Sequence, residues 1–241
     1  DNNIYSMGHF TGTADFNPSL LGVYNITSAG SFDVYISKLN SSGNFVWAKA
    51  FGGVNSQSGR SIKIDALNNV ITNGYFEGVT DFDPNPASTF NLTAISDMFI
   101  SKLDVNGNFV WAKQLARATN NFTIDGLNHI YITGNFVGSY DCDPGPASYL
   151  LSSSGGRDFF TLRLNHDGIF QSAFKTGGGG SEEATCISMD ASNNIYTAGH
   201  FQNTVDFNPG PGTLNLVAPA GELNSFITKL NQSTIPLPVS L

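Results

Sequence analysis

Asn68–Phe76 reads NNVITNGYF, and the string returns, lightly edited, as NNIYSMGHF from Asn2, NHIYITGNF from Asn128 and NNIYTAGHF from Asn193. The copies start 66, 60 and 65 residues apart in a chain of 241. The residues downstream of each copy repeat too, in fixed order. Five residues beyond the Phe stands the acid of a turn motif: TADFNPSL from Thr13, VTDFDPNPAS from Val79, SYDCDPGPAS from Ser139 and TVDFNPGP from Thr204. Next comes DVYISKLN from Asp33, DMFISKLD from Asp97, DFFTLRLN from Asp158 or NSFITKLN from Asn224. A Gly turn then leads to GNFVWAKAF or GNFVWAKQL, and a short strand such as SIKID precedes the following Asn turn. A period of this length and fidelity marks a repeat architecture.

These stretches are rich in Ile, Val, Phe, Tyr and Thr and bounded by Gly, Asn or Asp, which is the composition of strands. SSGN, DVNGN and NHDG read as hairpin turns in which Gly supplies a positive φ. In VYISKL both alternating sets are largely apolar, Tyr35 and Leu39 on one side and Val34 and Ile36 on the other. A strand buried on both faces suits a small sheet stacked between neighbours. Four strands per unit, stacked face to face, are the blades of a β-propeller, each unable to hide both its faces alone. A β-sandwich also has regular strands and turns but does not account for the repeat.

The expected fold is therefore all-β, a β-propeller of about four four-stranded blades across residues 1–231, with units starting near 2, 68, 128 and 193. The first unit lacks its leading strand and the last lacks its final one, leaving about fourteen. That count favours a four-unit assembly, open or incompletely closed, over an arc of a larger ring. The third copy departs from the pattern, with Ser172 where the others carry Trp47 and Trp111.

Composition narrows the function classes. The chain is 40% hydrophobic, enough for a core, and only 12% charged, against about a quarter in ordinary domains. A net charge of −8 argues against nucleic acid, whose binders carry basic patches. No apolar run approaches the ~20 residues of a membrane span. Cys142 and Cys186 show neither metal-ligand spacing nor a disulfide framework. The chain opens on DNNIY, already inside a repeat, without an initiator Met or signal peptide, and reads as a processed piece or fragment.

Taken together, GNFVWAK, the short strand ending in Asp, the NNVYxxGxF pattern and DMFISKL resemble the SBBP-type beta-propeller repeat family of secreted bacterial proteins. The resemblance covers nearly the whole chain. It implies a propeller fold and an exported protein, and it brings no agreed activity and no catalytic residues. The tail IPLPVSL resembles the linker that precedes the sorting domain of the type IX secretion system in Bacteroidetes. Residues 232–241 are accordingly read as a Pro-containing linker, and the protein as secreted or held at the cell surface.

The turn motif has two readings. Asp or Asn before Pro starts turns and caps nearby N–H groups, with Phe16, Phe82 and Phe207 plugging the blade edge. Alternatively, acids at i and i+2 point at a calcium ion. Asp81 with Asp83 and Asp141 with Asp143 would supply two carboxylates each; Asp15 with Asn17 and Asp206 with Asn208 would supply one and an amide oxygen. The recurring Asp33, Asp97 and Asp158, and Asp65, Asp125 and Asp190, read as turn caps or partners of Lys38, Lys102 and Arg163.

One position varies inside the constant frame: His9, Tyr75, Asn135 and His200, each following the Gly of the second strand. It is the candidate ligand-binding surface, against the plainer reading of polar residues at strand ends. Two His without a third ligand make no zinc site. No catalytic residue is identified: Gly-x-Ser-x-Gly, His-Glu-x-x-His and a phosphate loop are all missing. Glu182 and Glu183 are adjacent and would face opposite ways on a strand, which is no acid/base pair. The expected function is a non-catalytic scaffold or binding module for a protein or glycan, with calcium as its one candidate cofactor. The rival is a glycan lyase or hydrolase on one face of the propeller.

Overall fold

The computed structural model describes residues 2–115 and 119–231, so the 232–241 linker lies outside the described residues. The chain divides into two compact units, Asp1–Arg117 and Ala118–Leu241. In the first, blade one contains β1 (Ile4–Phe10), the short β2 (Thr13–Asp15) and β3 (Asn25–Thr27), then β4 (Asp33–Leu39) and β5 (Phe45–Gly53). Blade two contains β6 (Gln57–Ile64), β7 (Val70–Asp81), β8 (Asn91–Leu103) and β9 (Phe109–Leu115). In the second unit, blade three contains β10 (Thr119–Ile124), β11 (Ile130–Phe136), β12 (Ser139–Asp141), β13 (Leu150–Ser152), β14 (Asp158–Leu164) and β15 (Phe170–Gly178). Blade four contains β16 (Glu183–Met189), β17 (Ile195–Phe201), β18 (Thr204–Asp206), β19 (Asn215–Val217) and β20 (Asn224–Leu230).

The main strands pair antiparallel in sequence order: β6–β7–β8–β9 and β10–β11–β14–β15 in the complete blades, β1–β4–β5 and β16–β17–β20 in the incomplete ones. The fold is thus all-β, with blades of β-propeller type, and the described blade strands lack the first of blade one and the last of blade four. Strand burial agrees. Val34 and Ile36 are 0% exposed, and Ser37 and Lys38 beyond them are also buried.

Two turns recur because the same local chemistry recurs. Between the first and second strands, Asp65 Oδ1 accepts the N–H groups of Leu67 and Asn69 (2.9 and 2.8 Å), while Asn68 takes φ 62°. Asp125 with Asn128, and Asp190 with Asn193, repeat it. Between the third and fourth strands the capping oxygen belongs to Asn40, Asp104 or Asn165, and the positive φ falls on Gly43, Gly107 or Gly168. Asn and Gly are the residues that tolerate this left-handed backbone.

The connection between second and third strands differs from the expected loop. It is a small hairpin, β2–β3, β12–β13 or β18–β19, and in blade two it merges into long β7 and β8. The hairpin reaches across to the preceding blade: Gly52 and Gly53 pair with Asp81 and Thr80, and Gly177 and Gly178 pair with Asp206 and Val205. Glycine is required there by close approach. A Cβ on Gly52 would lie 2.2 Å from the Asp33 carboxyl carbon, and one on Gly177 would lie 2.1 Å from that of Asp158.

The Phe of the motif fills the same seam. Phe82, 0% exposed, packs on Phe51 of the preceding blade (5.1 Å between ring centroids) and on Phe76 and Phe99 of its own (5.4 and 5.1 Å). Phe207 repeats the arrangement with Phe159 before it and Phe201 and Phe226 beside it. Burying one such ring contributes about 1.5–3 kcal/mol. A second tie joins blades one and two, where Trp47 Nε1 and Lys38 Nζ both donate to the Val105 carbonyl (3.2 Å each).

Candidate functional site

The four motif loops share one hydrogen-bond scheme. Asp81 Oδ1 accepts the N–H groups of Asp83 and Phe90 (3.0 and 2.8 Å), and Asp83 Oδ1 accepts that of Asn85 (2.9 Å). Asp15, Asp141 and Asp206 bind the N–H two residues on and a second N–H across the hairpin in the same way. Asn17, Asp143 and Asn208 each cap the turn that comes next. One oxygen of every carboxylate or amide in the motif is therefore engaged in holding the loop. The N–H bonds of Tyr24 and Asn17 hold the Asp15 carboxyl below its ordinary value; at Asp141, burial pushes the other way and is outweighed by the Ser148 hydroxyl and the Tyr149 and Asp143 N–H groups. Among the described residues no three or more His, Cys, Asp or Glu side chains come together in a group that could hold a metal ion.

The recurring acids act as caps and partners. Asp65 binds Lys102 at 3.0 Å, and its carboxyl lies below the usual range because the Asn69 and Lys102 contacts outweigh burial. Asp125 takes His129 Nδ1 (2.9 Å) and the Tyr131 hydroxyl (3.2 Å); Arg163 lies over the Tyr131 ring. Asp158 takes Lys175 (3.0 Å) and Asp97 takes the Gln114 amide (2.6 Å). Both cysteines are free, and burial pushes the Cys142 thiol up to about 12.

The variable position is the last but one residue of the second strand in blades one, three and four and lies within the long β7 in blade two, and each copy uses it differently. His9 packs edge-on to Phe32 (5.2 Å) with Nδ1 at 3.4 Å from Ser58 Oγ of blade two. The Tyr75 hydroxyl bonds Glu77 and accepts from Ser96. Asn135 Oδ1 accepts the N–H of Ala184 in blade four (2.9 Å). His200 Nε2 is 3.6 Å from Glu183 Oε2, which also takes Arg157 Nη1 at 3.1 Å. The position thus holds four unlike local contacts rather than one shared constellation.

Around His200 the second unit forms a cleft of about 310 Å³ lined by Arg157, Ser181, Glu182, Glu183, His200 and Gln202, among others. The two glutamates differ, Glu182 buried and Glu183 half-buried, yet both line this cavity, which their adjacency in sequence did not suggest. Glu182 is 0% exposed; its Oε2 accepts the Gly178 N–H (2.8 Å) and its Oε1 has no hydrogen-bond partner. Burial, with the charge of Asp158 added, pushes its carboxyl up against the pull of the Gly178 and Gln202 N–H groups. Aligning the repeats from their Gly-Gly pairs exposes the signal: Ser56-Gln57-Ser58 in one unit becomes Ser181-Glu182-Glu183 in the other. Gln57, also 0% exposed, accepts the Gly53 N–H and donates its amide to Thr80 and to the Glu77 carbonyl.

No family model matches the chain. It is similar to an uncharacterized WD repeat-containing protein of Acanthamoeba polyphaga mimivirus, 25% identical over an alignment covering 77% of this chain. The chain spans 16% of that relative's length. A repeat protein of propeller type is what the likeness and the blades have in common. No helix of the described residues is long and apolar enough to cross a membrane.

Proposed function

We propose that the chain is a non-catalytic binding module, an SBBP-type propeller segment of an exported or surface-held bacterial protein that takes a protein or glycan ligand. The observation that supports this most is the contrast between the repeated frame and the cleft around His200, which departs from it. Arg157, Glu183 and His200 are half-buried or exposed, charged or ionisable and close together, while their counterparts Phe32, Ser58 and Tyr75 are not charged. Such a rim, flanked by Val137 and Leu223, suits orientation of a polar ligand. Screening glycans and lysate proteins against the parent chain and Arg157→Ala tests it. A ligand captured by the parent and lost in the variant, with melting unchanged, is expected. Capture that survives the substitution would move the site elsewhere, and no capture would leave a spacer.

A second reading, a glycan-active enzyme, draws on the raised carboxyl of Glu182 beside Glu183, which is ion-paired, in one cleft. Against it, Glu182 performs the job that Gln57 performs in the other unit, accepting the N–H of the second glycine. Turnover of a glycan that Glu182→Gln abolishes would favour the enzyme.

A further inference from the structure

The three copies of the Asp that opens the third strand sit opposite the same register position of the fourth strand, yet that position differs. In blade two, Asp97 meets Gln114, whose amide donates to its Oδ2 at 2.6 Å. In blade three, Asp158 meets Lys175, whose ammonium binds its Oδ2 at 3.0 Å and also bonds Ser154. In blade one the residue is Ala50, paired with Tyr35 as Gln114 is with Phe99 and Lys175 with Phe160. Asp33 therefore receives no side chain from that position of the fourth strand. It is 3% exposed and its Oδ2 accepts the Ala29 N–H (2.8 Å) as Asp158 Oδ2 accepts that of Ser154; the Oδ1 of both is without a hydrogen-bond partner, so what blade one lacks is the ammonium on Oδ2. Burial raises its carboxyl against the pull of the Ala29 and Gly53 N–H groups, with no cation to offset it.

Space lies where the missing side chain would be. Asp33 and Ala50 line a cleft of about 280 Å³ in the first unit, together with Asp81 and Asp83 of the blade-two motif loop. No basic side chain lines it, and Ile26, Pro84 and Pro86 give it an apolar wall. The molecule thus shows in its own blade three what fits beside such an aspartate: a primary ammonium on a flexible aliphatic stem. A lysine stem lies along apolar surface while its head seeks charge, and two further carboxylates add attraction that a low-dielectric cleft strengthens.

We propose that this cleft, at the seam of blades one and two, receives a lysine side chain presented by an extended segment of a partner protein, its ammonium on Asp33 as that of Lys175 is on Asp158. The proposal rests on the binding-module reading but not on the Arg157 cleft, which is in the other unit. Its test is a nitrogen–proton NMR titration with a short peptide carrying one central lysine, the same peptide ε-acetylated, cadaverine, and calcium chloride.

The lysine peptide is expected to shift the amides of Ala29, Asp33, Ala50 and Gly52, with acetylation weakening it at least tenfold and cadaverine binding at least tenfold more weakly. Ala50→Lys, which supplies the ammonium from within and keeps the fold as Lys175 does, should remove the shifts; Asp33→Asn should do the same. Arg157→Ala should leave them unchanged, so failure of the other cleft does not count here. Equal binding of the acetylated peptide, shifts surviving in Ala50→Lys, or no shifts at those amides would overturn the proposal. Calcium or cadaverine binding there as tightly as the peptide would overturn the protein-segment assignment.

Discussion

Single side chains hold this protein's loops, and the motif aspartate is the clearest case. Asp81 Oδ1 closes the turn to Asp83 and the hairpin to Phe90 at once. Replacing it with Ala leaves two N–H groups without that acceptor, and losing a cap of this kind costs about 0.5–2 kcal/mol. Urea unfolding of Asp81→Ala should show a loss in that range; an unchanged midpoint would mean the loop is held by something else. Glu182 carries the opposite lesson. Its folded carboxyl titrates above the ordinary value of 4.5, so between those two values the folded state holds a proton that the unfolded state has released. Stability from this group is therefore lost as pH rises through that window, whereas Asp65 and Asp125, titrating below 3.8, lose theirs as pH falls. Glu182→Gln should be more stable than the parent at neutral pH, with the gap closing below about pH 4. A gap that stays constant across a pH series of thermal melts would contradict the assignment.

At the scale of elements, the second blade of each compact unit is held to the first by a two-residue pairing that only glycine permits. Gly177→Ala would drive its Cβ to 2.1 Å from the carboxyl carbon of Asp158, which Lys175 and the Ser154 N–H already fix. Overpacking of this kind costs about 1–3 kcal/mol. Gly179→Ala, with nothing within 4 Å of the added carbon, should stay within about 0.5 kcal/mol of the parent. Comparable losses in both variants would remove close approach as the explanation. These elements also show how far the sequence could be read. The strands, turns and blade count followed from period and from apolar alternation, because those signals are local. The small hairpin reaching to the previous blade did not, since Gly52 and Asp81 stand 29 positions apart and nothing local announces their pairing. That His9, Tyr75, Asn135 and His200 occupy one equivalent position of the second strand was legible, because the frame around them repeats. The cleft beside His200 was not, because Arg157 and Glu183 come from different blades, one just before a third strand and the other opening a first.

For the molecule as a whole, each compact unit has its own cores built at the blade seam: Val34, Phe51, Phe82 and Phe99 gather in the first, and Phe159, Val205, Phe207 and Phe226 in the second. Repeat proteins distribute stability between the repeats and the interfaces joining them, and here the motif rings of Phe82 and Phe207 sit in those interfaces. Both proposed ligand sites lie where one copy lets a side chain depart from the pattern, as Ala50 does beside Asp33 and Arg157 does beside Glu183. All of this requires that neighbouring blades stabilise one another through the seam. The decisive measurement is a double-mutant cycle between Phe51→Leu and Phe82→Leu, one residue from each blade with rings 5.1 Å apart. An interaction energy of about 0.5–1.5 kcal/mol by equilibrium unfolding is predicted for an aromatic pair in contact. Additive losses, agreeing to within about 0.3 kcal/mol, would show that the two blades do not share a core.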